Sequence, residues 1–438
     1  MLIFTLLIAS QQFLFSQPNW PAIKANATFT VHDTSFLSPS LLPINIGGWE
    51  DGLYVTRDGK NLYSTFMPID IFSWLRDFAP CIDFNPYYRP PLLDIDTITN
   101  PFGCTNYIHS DIIYSNRADT SQSFIAWNSS NLQIPATFEG GACGVMLNAD
   151  TFDVFVFTRD IGGSFGMELF LMKNVPVNPN PSTAVQILSS PDNEDNPHIE
   201  RLNDTTLLLF FDRERYIYYS LSYDNGTTWE NPTIVTNVLN DQAPYDVQPH
   251  LWQDGSDWWV FFSADNSNGV RCIYKSKQMI PNDWNSWGPK QLVIEPNFII
   301  QGGLGMIFGV GEPTLTQSGD LYFVVVYGDL NSTDTTDVFD CDPWILPRKH
   351  PVVTGIHEQK FPQLIFNIYP NPTRAKVFID LSIPIDDTIE VIDAMGRVVC
   401  LKEIQGQKTE LDVSNLTRGI YLVRFRKSVL STKRLVIE

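Results

Sequence analysis

Between about residues 20 and 350 the chain repeats one arrangement of polar and apolar positions: a turn-rich lead, a short strand, a polar turn and a strongly apolar run. The instances are Trp49–Tyr54 leading to Leu62–Phe66, Glu139–Gly141 to Val154–Phe157, and Asp195–Ile199 to Leu207–Phe211, then Val247–Leu251 to Trp258–Phe262 and Gly311–Leu315 to Leu321–Val325. A third strand follows, as at Ile112–Ser115, Leu169–Met172, Ile217–Ser220 and Cys272–Lys275. A fourth is led by Trp or Pro, near Trp127, at Trp229–Pro232 and at Trp287–Pro289. Short runs that are apolar throughout predict strands covered on both faces. Four antiparallel strands returning every ~50–60 residues predict the blades of a β-propeller. The fold class expected is therefore all-β, with five blades over 20–355. A long Pro- and aromatic-rich insertion at 67–109 leaves a sixth blade open. The segment before Trp49 is expected to supply the outer strand that closes the ring, which removes the sheet edges.

The texture changes near Phe361. Lys376–Leu381, Thr388–Asp393, Arg397–Glu403, Lys408–Leu411 and Ile420–Lys427 alternate apolar with polar, and Gly396-Arg397 and Arg418-Gly419 mark turns. Seven or so short strands in ~75 residues predict a small Ig-like β-sandwich. Tyr369-Pro370-Asn371-Pro372, Asp393-Ala394-Met395-Gly396-Arg397, Leu411–Leu416, Gly419–Val423 and the basic end Lys433-Arg434-Leu435-Val436 follow in order. Segment 361–438 thus resembles a type IX secretion C-terminal sorting domain, type A. The resemblance implies carriage across the outer membrane by the type IX machinery, usually with removal of the module. It implies nothing about chemistry. At the other end, the apolar run Leu2–Leu14 is too short to span a bilayer and leads into polar sequence, as a signal peptide over 1–16 does. A secreted or cell-surface protein is expected.

Composition narrows the partners. Aromatic residues at 13%, with 30 Pro and 26 Gly, suit sheets joined by frequent turns. A net charge of −20 repels nucleic acid and anionic membranes, which excludes both as partners. No later segment holds 18 consecutive apolar residues, so no membrane span is expected in the mature chain. None of the six cysteines has a zinc spacing. Cys81 and Cys104 flank one Pro-rich stretch and are candidates for a disulfide in an oxidising compartment, whereas the other four read as free thiols. No P-loop, GxGxxG or Ser-His-Asp elbow occurs, and the cofactor is left unassigned.

Two local motifs speak to fold. Ser222-Tyr223-Asp224-Asn225-Gly226-Thr227-Thr228-Trp229 resembles the Asp-box of sialidase-type propellers, a tight turn whose Trp packs back on the blade. Val55–Tyr63, with Asp58-Gly59-Lys60, is similar to the turn of TolB-type propeller repeats.

Chemistry is expected where the first strands of the blades meet around the central channel. Aligned on their Pro or Gly, these strands place Asp51, Cys143, Asn196, Gln248 and Glu312 in one column. Two positions on, and therefore on the same face, the third and fourth strands carry His198 and His250. Asp51 and Glu312 are the candidate catalytic carboxylates, since glycoside cleavage needs two carboxyl groups about 5–10 Å apart flanking the bond. Asn196, His198, Gln248 and His250 are the candidate substrate-binding residues. Glu50, Glu139, Asp195 and Asp246 are alternates, because a slip of one residue exchanges faces. A metal held by the two histidines lacks further ligands, and no metal site is assigned. The architecture resembles the family 43 and family 32 glycosidases, but their N-D-P, R-D-P and E-C signatures are missing, so no catalytic residue carries over. The sialidase F-R-I-P stretch is missing too. The reading is a secreted propeller acting on or binding extracellular glycans at the channel mouth, by hydrolase- or lyase-type chemistry. Its alternative is a non-catalytic binding or surface-interaction propeller.

Overall fold

The computed structural model describes residues 19–67, 71, 95–96, 107–134, 137–160, 166–241, 246–329, 339–349, 366–393, 397–425 and 432–438. The predicted signal peptide and the Cys81–Cys104 pairing lie outside the described residues, as does most of the 67–109 insertion, where Ile95–Asp96 pairs with Tyr107–Ile108. The chain divides into two compact units, Met1–His350 and Pro351–Glu438. It is nearly all β, with one α-helix, Trp20–Ala25, among the described residues.

The strands of the first unit include five antiparallel runs, called the first to fifth sheets, each beginning with the strand expected to face the channel; single parallel bridges, Arg271 with Gly309 and Cys341 with Trp49, join the fourth, fifth and first into one larger sheet. The first sheet runs Trp49–Val55, Asn61–Met67, Asp111–Asn116, Asn128–Ser129. The second runs Glu139–Asn148, Thr151–Asp160, Met167–Pro176, Val185–Ile187. The third runs Glu194–Arg201, Leu207–Arg213, Tyr216–Ser222, Thr233–Ile234. The fourth runs Val247–Asp254, Asp257–Asp265, Arg271–Lys277, Gln291–Pro296. The fifth runs Met306–Leu315, Leu321–Gly328, Phe339–Leu346. Its fourth place is taken by Ser40–Leu41, which pairs with Trp344 and Ile345, while Phe29–Val31 caps the fourth sheet along Ile294–Pro296. The segment before Trp49 thus covers two edges that would otherwise be open to pairing.

The apolar runs explain why the sheets stack. Leu207–Phe211 is fully buried along its whole length, because it sits mid-sheet with a neighbouring sheet on either face. Apolar clusters fill the gaps in turn: Tyr63 and Phe155 with Leu209 across the first three sheets, Phe210 with Phe262 and Trp287 between third and fourth. Phe261 with Phe323 joins fourth to fifth, and Trp49 with Tyr322 and Cys341 joins fifth back to first. The cores therefore run around an axis on which the first strands converge.

The second unit corrects the expected strand count. Its described residues form five strands in one sheet, not seven short ones: Phe366–Tyr369, Lys376–Ile392, Val398–Asp412, Gly419–Phe425 and Thr432–Ile437. The expected pairs Lys376–Leu381 with Thr388–Asp393, and Arg397–Glu403 with Lys408–Leu411, each fuse into one long strand. Pairing between the two long strands resumes at Ile385 with Gly406 after a register shift, so the backbone ladder bridges the expected breaks. Val377, Ile379, Leu381, Ile389 and Val391 lie in a private core with Phe366, Tyr421 and Leu435.

Candidate functional site: the mouth of the central channel

Every first strand breaks register at the same place. Two residues bulge out of the ladder after Asp51, Gly140, Asp195, Val247 and Gly311. The first bulged residue has left-handed φ in all five: Gly52 at 54°, Gly141 at 55°, Asn196 at 49°, Gln248 at 62°, Glu312 at 53°. Glycine is the residue for such backbone, and a Cβ on Gly52 would meet Thr65 Oγ1 at 2.3 Å. Three strands nonetheless spend this costly conformation on side chains that hydrogen-bond.

The bulge also corrects the alignment. Gly52 and Gly141 occupy the left-handed position itself, whereas Pro197, Pro249 and Pro313 follow it by one. Matching Gly to Pro therefore slipped the first strand by a residue, and taking Gly144 in place of Gly141 slipped the second further. Gly141, not Cys143, is the true counterpart of Asn196, and Asp51 stands one position ahead of the column, level with Asp195.

Even so, Asp51, Asn196, Gln248 and Glu312 meet. Gln248 Nε2 donates to Glu312 Oε1 at 2.5 Å, and its Oε1 accepts the Glu312 backbone N–H at 3.2 Å. Asn196 Nδ2 donates to Asp212 Oδ2 at 2.8 Å, and the Gln248 backbone N–H donates to the same carboxylate at 2.8 Å. Trp49 Nε1 donates to Asp51 Oδ2 at 3.0 Å, and the Asp51 and Glu312 side chains lie within hydrogen-bond reach of each other. Asp195 accepts from Thr158 Oγ1 at 3.3 Å. The four carboxyl groups Asp51, Asp195, Asp212 and Glu312 border cavities of about 300 Å³ that open at this end of the channel.

Burial pushes all four toward protonation, and repulsion by neighbouring acids adds to it at Glu312, Asp212 and Asp195. Burial raises Glu312 well above its ordinary value, and the charges of Asp51, Asp195 and Asp212 add to it. Asp212 is likewise well raised by burial, and then by Asp195. Asp195 is raised to about 6, by burial and then by Asp51. Asp51 is raised by burial, but the bonds from Trp49, the Gly52 backbone and Glu312 oppose the rise. Their contact lowers Asp51 and raises Glu312, so of the two the proton is favoured on Glu312.

His198 and His250 stand in matched positions two residues beyond the bulge, but in the closed part of the channel. Both are buried, with ring centroids 4.0 Å apart. Only about 20 Å³ of free space separates their neighbourhood from the bulges. His198 Nε2 meets Glu200 Oε1 at 3.0 Å, and His250 Nε2 accepts the Leu315 N–H at 3.0 Å. Arg57, from the Asp58-Gly59 turn, pairs with Glu200, lies 3.4 Å from His250 Nε2, and donates to the carbonyl of Leu315 at 3.2 Å and to that of Leu251. Burial lowers both histidines, His250 strongly, so they are neutral at pH 7. Burial would raise Glu200, but Arg57 and His198 outweigh it and hold the carboxylate low.

Asp212, Arg57 and Glu200 escaped the sequence reading. Asp212 ends the apolar run Leu207–Phe211 directly opposite Asp195, and a lone acid at the end of such a run was the available signal. Of the alternates, Glu50, Glu139 and Asp246 point elsewhere: toward Trp127, Arg159 and Lys290. Away from the channel, Asp224 organises the Ser222–Trp229 turn, accepting from Ser222 Oγ at 2.9 Å and the Thr228 N–H at 2.8 Å. Trp229 is half-buried against the core between second and third sheets.

Residues 367–438 match the family model described as secretion system C-terminal sorting domain. None of the curated proteins matches the chain. Among solved structures, the chain is similar to the catalytic domain of a Coprinopsis cinerea GH62 alpha-L-arabinofuranosidase, at 11% identity and TM-score 0.43, over 72% of this chain and 96% of that one. It is also similar to a GH43 endo-arabinanase from Bacillus licheniformis, at 10% identity and TM-score 0.38, over 69% and 96%. The NanB sialidase of Streptococcus pneumoniae shares 12% identity at TM-score 0.36, over 70% and 57%.

Proposed function

We propose that the chain is an exported five-bladed propeller that binds and cleaves extracellular glycans at the bulged end of its channel. The observation that carries this reading is the convergence of Asp51, Asp195, Asp212 and Glu312 on two adjoining open cavities, with no ion pair to any of the four among the described residues. A buried carboxyl group that keeps its proton near neutral pH is what a general acid requires. Glu312 takes that role. Asp51 touches it, which is too close for the two to flank one glycosidic bond, so Asp51 is the charged partner that holds the proton in place. Asp195, at about 6, is ionised at neutral pH and serves as the second carboxylate, activating water or the anomeric carbon. Asn196 and Gln248 fix Asp212 and Glu312 and offer their remaining polar atoms to sugar hydroxyls. His198 and His250 form the floor.

One feature favours binding without turnover: with Asp51 and Gln248 both on Glu312, its carboxyl group is already occupied. A polysaccharide panel read for both binding and released sugar decides between the two. Cleavage requires that Glu312→Gln and Asp195→Asn each abolish sugar release even at polymer concentrations that make up for weakened binding. Binding without release in the wild type would establish the non-catalytic reading. The C-terminal module is the export signal in this scheme. A chain truncated after Gln359 should accumulate in the periplasm of a host that has type IX secretion, and normal secretion of it would remove that assignment.

A further inference from the structure

The mouth carries positive charge in an unusual way for a chain of net charge −20. A cavity of about 340 Å³ beside Asp51 and Gln248 is lined by Arg215, Arg271, Trp49 and Phe308. Arg271 is held there by Asp265, 2.8 Å away, and by want of a side chain on Gly309, where a Cβ would lie 2.4 Å from that of Arg271. Arg215 is exposed, and among the described residues nothing pairs with it.

The backbone that presents Arg215 is strained. Arg213 pairs with Tyr216, so Glu214-Arg215 forms a two-residue hairpin loop. Both residues have left-handed φ, 48° and 68°. Asn-Gly or Asp-Gly fills such a loop at low cost, whereas two long side chains do not. Glu214 places its carboxylate on the Asn193 N–H at 3.1 Å and not on its neighbour, and Arg215 lines the cavities it shares with Asp51, Asp195 and Asp212 without an ion pair among the described residues. A strained turn that keeps an unpaired guanidinium over a cavity fits a role in gripping an anion.

Resting on the reading of the mouth as the glycan site, we propose that Arg215, assisted by Arg271, binds the carboxylate of an acidic sugar, so that the glycans taken are uronate-bearing. Trp49 and Phe308 supply apolar walls for the sugar ring. The guanidinium fork matches a carboxylate with two parallel N–H···O bonds and has no equivalent match to a hydroxyl or an ester.

The test uses the full chain and three uronate polymers (polygalacturonate, alginate and glucuronan), each beside its methyl ester, which removes the charge and keeps the sugar. At least one free acid should bind more tightly than its ester, by on the order of 10-fold. Arg215→Ala should erase that preference, and Arg215→Lys should restore only part of it. Glu312→Gln should weaken acid and ester together, because it alters the shared site. Acid and ester binding alike, or not at all, overturns the inference, as does a preference that survives Arg215→Ala. If they bind alike yet both are weakened by Glu312→Gln, the mouth remains the glycan site and only its acidic ligand is lost. Binding untouched by Glu312→Gln overturns both.

Discussion

The two ends of the channel are built from the same five strands and handle charge in opposite ways. Beyond the bulges, Arg57, Glu200, His198 and His250 satisfy one another: the acid is held ionised, the histidines are neutral, and almost no free space remains. At the bulges, four carboxyl groups crowd together without an ion pair among the described residues, all are pushed toward protonation, and cavities open beside them. A closed polar network rigidifies a core, whereas an uncompensated one costs stability and is retained where chemistry or recognition needs it. The contrast separates a lock from a site.

Breaking the lock should have the largest effect. Arg57→Ala leaves Glu200 buried without its main partner and should cost about 3–5 kcal/mol in denaturant unfolding. Replacing both partners, as in Arg57→Met with Glu200→Leu, should cost distinctly less, because no charge is stranded. A single variant with unchanged stability would show that the closed end is no lock. At the mouth the sign reverses. Asp195 has a folded value of about 6 against an ordinary 3.8, so folding disfavours its charge: stability is undiminished below the ordinary value and falls as pH rises through about 6. Asp195→Asn should therefore stabilise the fold by about 3 kcal/mol at pH 7.5 and by almost nothing at pH 3.5. Melting curves at the two pH values check this, and destabilisation at pH 7.5 would contradict it. Trp229→Ala, remote from both ends, should cost about 2 kcal/mol, less than for a fully buried Trp because the ring is only partly buried. It should leave glycan binding unchanged. Altered binding would extend the site to the blade rim.

What the sequence disclosed follows from which forces are local. The buried runs Leu207–Phe211 and Leu321–Val325 stand out in one dimension, so sheets and repeat were legible. The Ser222–Trp229 turn was visible because a turn is written in consecutive residues. The channel was legible only in part. Asp51, Asn196, Gln248 and Glu312 could be found, yet the register depended on the φ of Gly52 and Gly141, and a glycine does not announce which bulge position it fills. Asp212 and Arg57 reach the axis from a second strand and a turn, so aligning first strands could not reveal them. In the second unit, the long strand Lys376–Ile392 read as two because its pairing shifts register midway.

The mouth stands or falls on one proton. Isotope-edited infrared difference spectra of the full chain against Glu312→Gln at pH 7, with 13C-labelled glutamate, report that carboxyl group directly. Burial and three neighbouring acids predict that the difference carries the C=O stretch of a protonated carboxylic acid, shifted in D2O. A difference carrying only the carboxylate bands would mean that Glu312 is ionised, and the general-acid role would be contradicted.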